Sequence, residues 1–472
     1  MIKKILNKNN TKDINKANFI KDKSFYKMML LLAIPVTMQN IIIFLTQMLD
    51  TVMLGALGDV AMSAASLANQ PFLIFNMVTF GLGSGGAVIM AQYWGKGEKT
   101  PIKRIMTLII TISVTAGFIS MLVVLLFPEQ IMTLFIKDPE VIAAGTEYLK
   151  IIAYSYFFFG FSNVFYTSIR SIEAVKVAVI SNVIALVING SLNYLFIFGK
   201  FGVPAYGVKG AAMATLIARI VECGIAIVYI FFLDKKIGIK FSDFTKFDKN
   251  LAMDTIKVSI PVTLNEVMWA LAMTMQAKLL GSMGKDAVAA NSIISVVQQL
   301  AMVSVFGIAS AAAVMIGKAI GSGDMKKARD YGHTFKILSV IGGIAVFTII
   351  ILLKDIAVNF YNVEPHTKEL AHQMMYVAAV IGFFVAVSAT GIVGILRGGG
   401  DTKFALYAEA IALWVIAIPL AYFAAFVLHW NVVAVFAIMK IDEPLKSVIV
   451  MIRVRGTNWL RDFTRSDVEL SE

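Results

Sequence analysis

The chain has 472 residues, 58% of them hydrophobic and only 15% charged, and its mean hydropathy is +0.78. A soluble protein keeps about a quarter of its residues charged, so this composition, with 33 Phe, 25 Met and only 10 Pro, excludes a soluble enzyme, a disulfide scaffold and a disordered chain. The net charge of +12 does not point to nucleic acid, because the basic residues are segregated by topology.

A spanning helix needs about 20 apolar residues. Apolar windows fall near 28–54, 62–94, 103–127, 141–169, 177–198, 207–233, 251–281, 286–317, 333–353, 369–396, 404–428 and 430–452. The expected fold is therefore an all-α integral membrane protein of twelve transmembrane helices. The last window is the weakest, interrupted by Asp442, Glu443 and Pro444. Ahead of the first lies a basic tail, 1–27, with eight Lys. It resembles a signal n-region, but the apolar window after it is too long for an h-region and no A-x-A site closes it. The first span is read as retained.

Lys and Arg cluster in that tail, at Lys96, Lys99, Lys103 and Arg104, around 235–249, at Lys326, Lys327 and Arg329, and at Arg453, Arg455, Arg461 and Arg465. Counting windows puts all of these on one side, which the positive-inside rule makes cytoplasmic. Both termini are expected inside the cell and the protein in the plasma (inner) membrane. The single Cys223 permits no internal disulfide and reads as helix packing.

Ile34-Pro35-Val36-Thr37 recurs as Ile260-Pro261-Val262-Thr263, an offset of 226, and about 18 of 64 positions match from there to Gly95-x-Gly97 and Gly321-x-Gly323. Further on, Arg170…Lys176 answers Arg397…Lys403 at an offset of 227. The chain thus reads as two copies of a six-helix unit: a first lobe over 28–233, a cytoplasmic linker over 234–250, a second lobe over 251–452 and a cytoplasmic tail over 453–472. Six is even, so the repeats run parallel. Two such lobes facing a central cavity are the architecture of alternating access.

The half-repeat beginning at Pro35, Asp50-x-x-x-x-Gly55 and Gly95-x-Gly97 resembles the multidrug and toxic compound extrusion (MATE) family. So do Asn189-x-x-x-Asn193, Arg397-Gly398-x-Gly400-Asp401-x-Lys403 and Arg453-x-Arg455-x-x-x-x-Trp459. The resemblance covers roughly residues 28–465. It implies two six-helix lobes forming a V and a cation-coupled exporter of organic cations. Matching first-lobe residues in the family bind the coupling ion. Some relatives carry Asp where this chain has Asn193, and a span 10 acid where it has Val385-Ala386-Val387.

An exporter needs a driving force. No G-x-x-x-x-G-K-[ST] phosphate cradle occurs, and Gly81-x-Gly83-x-x-Gly86 lies inside a hydrophobic span, where small residues allow close helix approach. An ion gradient remains, with H+ or Na+ as coupling ion and no cofactor.

An intramembrane carboxylate is costly enough to require an explanation. Asp50 lies about 34 Å along the first helix from Lys27. On depth alone it reads equally as an interfacial acid. Asn189 and Asn193 share a helical face, and Thr215 adds a hydroxyl oxygen. With Asp50 they would suit a hard cation or a carboxyl tuned for proton carriage, so no metal is expected beyond a Na+ at Asp50. Glu266, with Gln47 and Gln276, is the candidate for a substrate cavity and second acidic site. The bland reading of Glu266 is a helix–helix hydrogen bond. Arg219 and Glu222 are expected to pair. Arg170 and Arg397 are expected to anchor headgroups or stabilise the inward end. Pro35 and Pro261 each remove a backbone hydrogen bond and are hinge candidates. The four His show no metal spacing. The expected partners are small organic cations and the bilayer, not nucleic acid, with the chain a monomer. The rival function is a flippase or exporter of lipid-linked saccharide precursors, disfavoured because the central candidates are acidic and amide-bearing.

Overall fold

A computed structural model describes residues 17–361 and 363–465. Most of the expected N-terminal tail and the end of the C-terminal tail lie outside the described residues. The first half runs α1 (Lys23–Gly55), α2 (Asp59–Ala68), α3 (Gln70–Lys96), α4 (Lys99–Leu126), α5 (Pro128–Thr133), α6 (Pro139–Ile152), α7 (Tyr154–Ser171), α8 (Lys176–Phe198) and α9 (Val208–Val228). The second runs α10 (Lys249–Ser282), α11 (Lys285–Gly321), α12 (Met325–Phe360), α13 (Pro365–Ala389), α14 (Thr402–Ala410), α15 (Ile418–Phe426), α16 (Val432–Met439) and α17 (Asp442–Arg453). Wider π turns extend α9 and α13 and join α14 to α15.

Apolar runs become helices because hydrocarbon offers the backbone no hydrogen-bond partner outside its own segment. Among the described residues ten helices, counted across such π turns and the Asn69 junction of α2 with α3, are long and apolar enough to cross a membrane. The fourth and twelfth windows are the exceptions. Each is a broken pair: α6 and α7 meet at Ala153, and α16 and α17 at Lys440 and Ile441. The break in the twelfth has a physical cause, since Asp442, Glu443 and Lys446 are all buried and satisfy one another inside the protein.

The repeat is written into the turns. Gly58 and Gly284, at matched positions, hold φ of 101° and 120°, and Gly97 and Gly323 hold 83° and 79°. Only a residue without Cβ adopts such conformations freely. The later match holds as well. Glu173 and Gly400 both lie at positive φ. Ala174 N–H donates to Ile169 O at 3.0 Å, as Asp401 N–H donates to Leu396 O at 2.9 Å.

Contacts divide the chain into two compact units, with borders that fall inside α1, α3 and α10 and in the turn before α4. Of the described residues, one gathers 17–37, the stretch Ala91–Gly97 and 264–465; the other holds Met38–Met90 and Glu98–Thr263. Both α1 and α10 are thus cut two residues beyond their internal prolines, Pro35 and Pro261. In the first unit Phe25 packs on Tyr331 and Phe335, and a Cβ on Gly307 would collide with Thr37 Oγ1. In the second, a Cβ on Gly81 would collide with Thr263 Cα. Gly81 and Thr37 are the repeat counterparts of Gly307 and Thr263, so each unit builds the same close seam from opposite members of the repeat.

Each unit has its own core. One lies around Met132, Leu149, Tyr156 and Ile197, the other around Ile294, Met374, Ala378 and Phe436. The linker docks on α4, with Arg104 pairing with Asp248 at 2.7 Å and Lys103 donating to Gly238 O. Burial works against the charge on Asp243 there, yet the Lys240 N–H, Lys246 and Lys103 hold its carboxyl below the usual range.

Candidate cation site

Helix α1 carries Asp50 one turn before its end at Gly55, and α8 and α9 bring the amides and hydroxyl to it. Asn193 Nδ2 donates to Asp50 Oδ1 at 2.5 Å and to Asn189 Oδ1 at 3.1 Å. Asn189 Nδ2 in turn donates to Thr215 Oγ1 at 3.2 Å. Asn189 and Asn193 are buried, and Asn193 Oδ1 has no hydrogen-bond partner among the described residues. The four residues named together from sequence therefore form one chain of contacts: a carboxylate, two amides and a hydroxyl, an all-oxygen donor set that suits a hard cation or a proton.

A pocket of about 100 Å³ opens on this chain, lined by Gln47, Asp50, Asn189, Thr215, Arg219 and Glu222 among others. Drug-sized sites enclose about 300–1,000 Å³, so this pocket is of a size for an ion and its waters. Arg219 pairs with Glu222 at 2.7 Å, as their spacing predicts, and lies over the Phe159 ring at 4.7 Å. What the spacing did not indicate is that this pair lines the Asp50 pocket. Gln47, grouped by sequence with Glu266, lines the Asp50 pocket.

The other members of that group part company. Glu266 Oε1 is held by Arg397 at 2.6 Å, and Gln276 accepts from Lys440 Nζ at 2.7 Å while donating to Met439 O. Arg397 is only 2% exposed, which corrects the expectation that it anchors headgroups. A guanidinium so buried requires a carboxylate beside it, and Glu266 supplies one. Arg170 is half-buried and likewise crosses to α1, donating to Gln39 Oε1 at 3.4 Å.

Two constellations were missed. Lys446, buried on α17, sits 2.7 Å from Glu443, 2.9 Å from Asp442 and 3.5 Å from Glu409 on α14. The signal was available, because residues 442, 443 and 446 are spaced to share a helix face; they read instead as an interruption of the span. The second is the anchor of the C-terminal segment. Asp401, fully buried, takes Arg453 at 2.8 Å and Arg461 at 2.6 Å. Trp459, also fully buried, packs so closely on Gly399 and Gly332 that neither could carry a Cβ without displacing it. Gln92 then donates to Arg461 O and accepts from Phe463 N–H. Motifs distant in sequence, Arg397–Lys403 and Arg453–Trp459, thus meet in one place. Among the described residues no group of three or more His, Cys, Asp or Glu is placed to hold a metal ion.

Repeated helical halves, ten long apolar helices among the described residues and buried ion pairs inside them define a multi-pass membrane protein of duplicated architecture. The profile of the MatE family matches residues 35–195 and 260–423, once in each half. The chain belongs to that family, the multidrug and toxic compound extrusion transporters. It is 25% identical over 440 residues to "Probable multidrug resistance protein NorM" of Thermotoga maritima, covering 92% of this chain and 93% of that one. A protein of the same name from Rhizobium meliloti is 28% identical over 397 residues, covering 82% and 84%. The fold is similar to a MATE structure solved in complex with MaL6, with a TM-score of 0.84, 18% identity and coverage of 94% and 98%. A transporter of the MOP superfamily from Pyrococcus furiosus, described as having a binding pocket of reverse polarity, is similar with a TM-score of 0.83 and 19% identity over 94% of this chain and 96% of its own.

Proposed function

We propose that this chain is a secondary active exporter that moves amphipathic organic cations out of the cell in exchange for inward H+ or Na+. The observation that carries this reading is the Asp50–Asn193–Asn189–Thr215 chain at a pocket of ion size. Family membership and the names of its relatives support the choice of cargo.

In the proposed cycle an ion entering from outside neutralises Asp50, the flanking helices shift, and the organic cation is released outward. Ion and cargo need not compete for the same atoms; each must only bind one state better than the other. One charge crossing about 150 mV supplies about 3.4 kcal/mol, roughly a 300-fold gradient per ion. Pro35 and Pro261, where the compact units divide α1 and α10, are the proposed hinges. A monomer suffices, since one chain supplies every donor. The segregation of Lys and Arg supports cytoplasmic termini in the plasma membrane.

The test uses everted vesicles containing the protein, a pH-sensitive dye and an imposed proton gradient. A panel of organic cations is added with and without Na+, for wild type and Asp50→Asn. Cation-triggered proton release, lost in the variant, is the expected outcome for H+ coupling; a strict need for Na+ keeps the reading and fixes the ion. Transport of no organic cation under either gradient would sink drug export and turn attention to lipid-linked saccharides.

A further inference from the structure

The second half buries more charge than the proposed transport cycle uses. Glu409, Asp442 and Glu443 surround Lys446. Helix α13 faces them with Ser388, whose hydroxyl donates to Glu443. From α10, Asn265 Nδ2 donates to Glu409 Oε2 at 3.0 Å. Two more charged groups act on the cluster from outside its contacts: Lys440 on Asp442 and Glu443, and Glu266, itself paired with Arg397, on Glu409.

The charges do not balance. The carboxylates of Glu266, Glu409, Asp442 and Glu443 stand against the cations of Arg397, Lys440 and Lys446, leaving one negative charge in excess. A net charge in such a setting is neutralised by capturing a counter-charge or a proton. Two acceptors stand ready beside it. Asp442 is 3% exposed with one oxygen on Lys446 and the other, Oδ1, without a hydrogen-bond partner among the described residues. Asn265, also 3% exposed, spends its amide on Glu409 and leaves its own Oδ1 without one. A metal ion does not suit this place, since the Lys446 ammonium already occupies the centre that a metal would take and no metal-holding group is formed among the described residues. What remains is a proton.

We infer that Glu409, Asp442, Glu443 and Lys446 form a proton-binding site in the second half, holding one exchangeable proton among three carboxylates independently of Asp50. Lys446 acts as a tethered cation that keeps two of the three charges compensated with Lys440, and the third carries the proton. The inference goes beyond the exchange reading of Asp50 and stands whether or not that reading survives.

The experiment is infrared difference spectroscopy on the full chain in nanodiscs, titrating pH in an Asp50→Asn background so that Asp50 is silent. A protonated-carboxyl band that rises and falls reversibly with pH is expected. It is expected to vanish when Asp442→Asn or Glu409→Gln is added, either of which removes the excess charge. Lys446→Arg, which keeps the cation, should retain the band with a displaced pH midpoint. Monodispersity in size-exclusion chromatography confirms folding, and two independent acid variants guard against one that fails to fold. A background with no titrating carboxyl band overturns the site, as does a band indifferent to both acid variants. A band displaced by Na+ at constant pH also overturns it, because the ligand would then be a metal cation.

Discussion

In the first half the pocket sets one carboxylate, Asp50, against two amides and a hydroxyl, beside an Arg219–Glu222 pair that satisfies itself. In the second half, carboxylates close on cations the protein itself provides, Glu409, Asp442 and Glu443 on Lys446 and Glu266 on Arg397. The turns that frame these residues have stayed alike, with Gly58 matching Gly284 and Gly97 matching Gly323 in backbone conformation. Duplication therefore preserved the geometry of chain reversal while the polar interior diverged. An acid held by neutral groups can exchange its partner for an ion from outside. Acids held by a tethered lysine and arginine are committed to internal partners, apart from the single charge left over.

Removing a tethered cation should break this contrast most visibly. Lys446→Met leaves three buried carboxylates facing one another, and loss of one partner from a buried pair costs about 3–5 kcal/mol. The thermal midpoint of the variant in detergent should fall far below wild type, and adding Asp442→Asn with Glu443→Gln should recover much of the loss. Asp50→Asn, by contrast, puts a neutral amide where amides already gather and should unfold at nearly the wild-type midpoint. Equal midpoints for Lys446→Met and Asp50→Asn would mean that the second-half carboxylates are already neutral without their lysine.

How much of this was legible beforehand depended on the kind of signal. The Asp50–Asn189–Asn193–Thr215 set could be assembled because Asn189 and Asn193 sit one helical turn apart and because charge inside an apolar run is conspicuous. The repeat was legible because glycines fixed by positive φ cannot drift without cost, and they mark both halves. The Lys446 cluster was obscured because hydropathy treats Asp442, Glu443 and Lys446 as three interruptions, whereas in space they cancel. For Arg397 the sequence left headgroup anchoring and a structural role open, because position beside a loop says nothing about the direction of a long side chain, which here turns inward to Glu266. The division of α1 and α10 between compact units was beyond any periodicity, since a proline marks where a helix can bend and not what its two ends touch.

The shared frame offers a smaller effect. A Cβ on Gly321 would strike Gln92 O, and one on Gly95 would strike Lys318 O. These are repeat-related contacts, Gln92 being the counterpart of Lys318. Gly95→Ala and Gly321→Ala should therefore each cost about 1–3 kcal/mol, as overpacking of a tight seam does, and by similar amounts. Gly97→Ala meets nothing within 4 Å and should carry only the backbone penalty of its φ, about 1–2 kcal/mol. Chemical unfolding of the three variants in one detergent would check this. A large loss from Gly95→Ala with none from Gly321→Ala would show that the seam is not shared between the repeats.

The smallest effect has the opposite sign. Glu173 and Gly400 occupy the same turn in the two halves, at φ of 61° and 83°. Glu173 bears there the left-handed strain, about 1–2 kcal/mol, that a residue with Cβ incurs, while Gly400 escapes it. Glu173→Gly removes the strain and loosens the unfolded chain by about 0.5–1 kcal/mol, so a net gain of up to ~1.5 kcal/mol is expected. The main-chain carbonyl of residue 173 would still accept from Lys236 Nζ. Gly400→Ala should lose stability, because it acquires the same strain and its Cβ meets the Phe463 ring at 2.5 Å. Thermal midpoints of the two single variants, read against wild type under identical conditions, decide it. A Glu173→Gly variant that unfolds earlier than wild type would mean that the Glu173 carboxylate contributes more through its own interactions than the turn loses to strain, and the two loops would then be alike in backbone but not in what holds them.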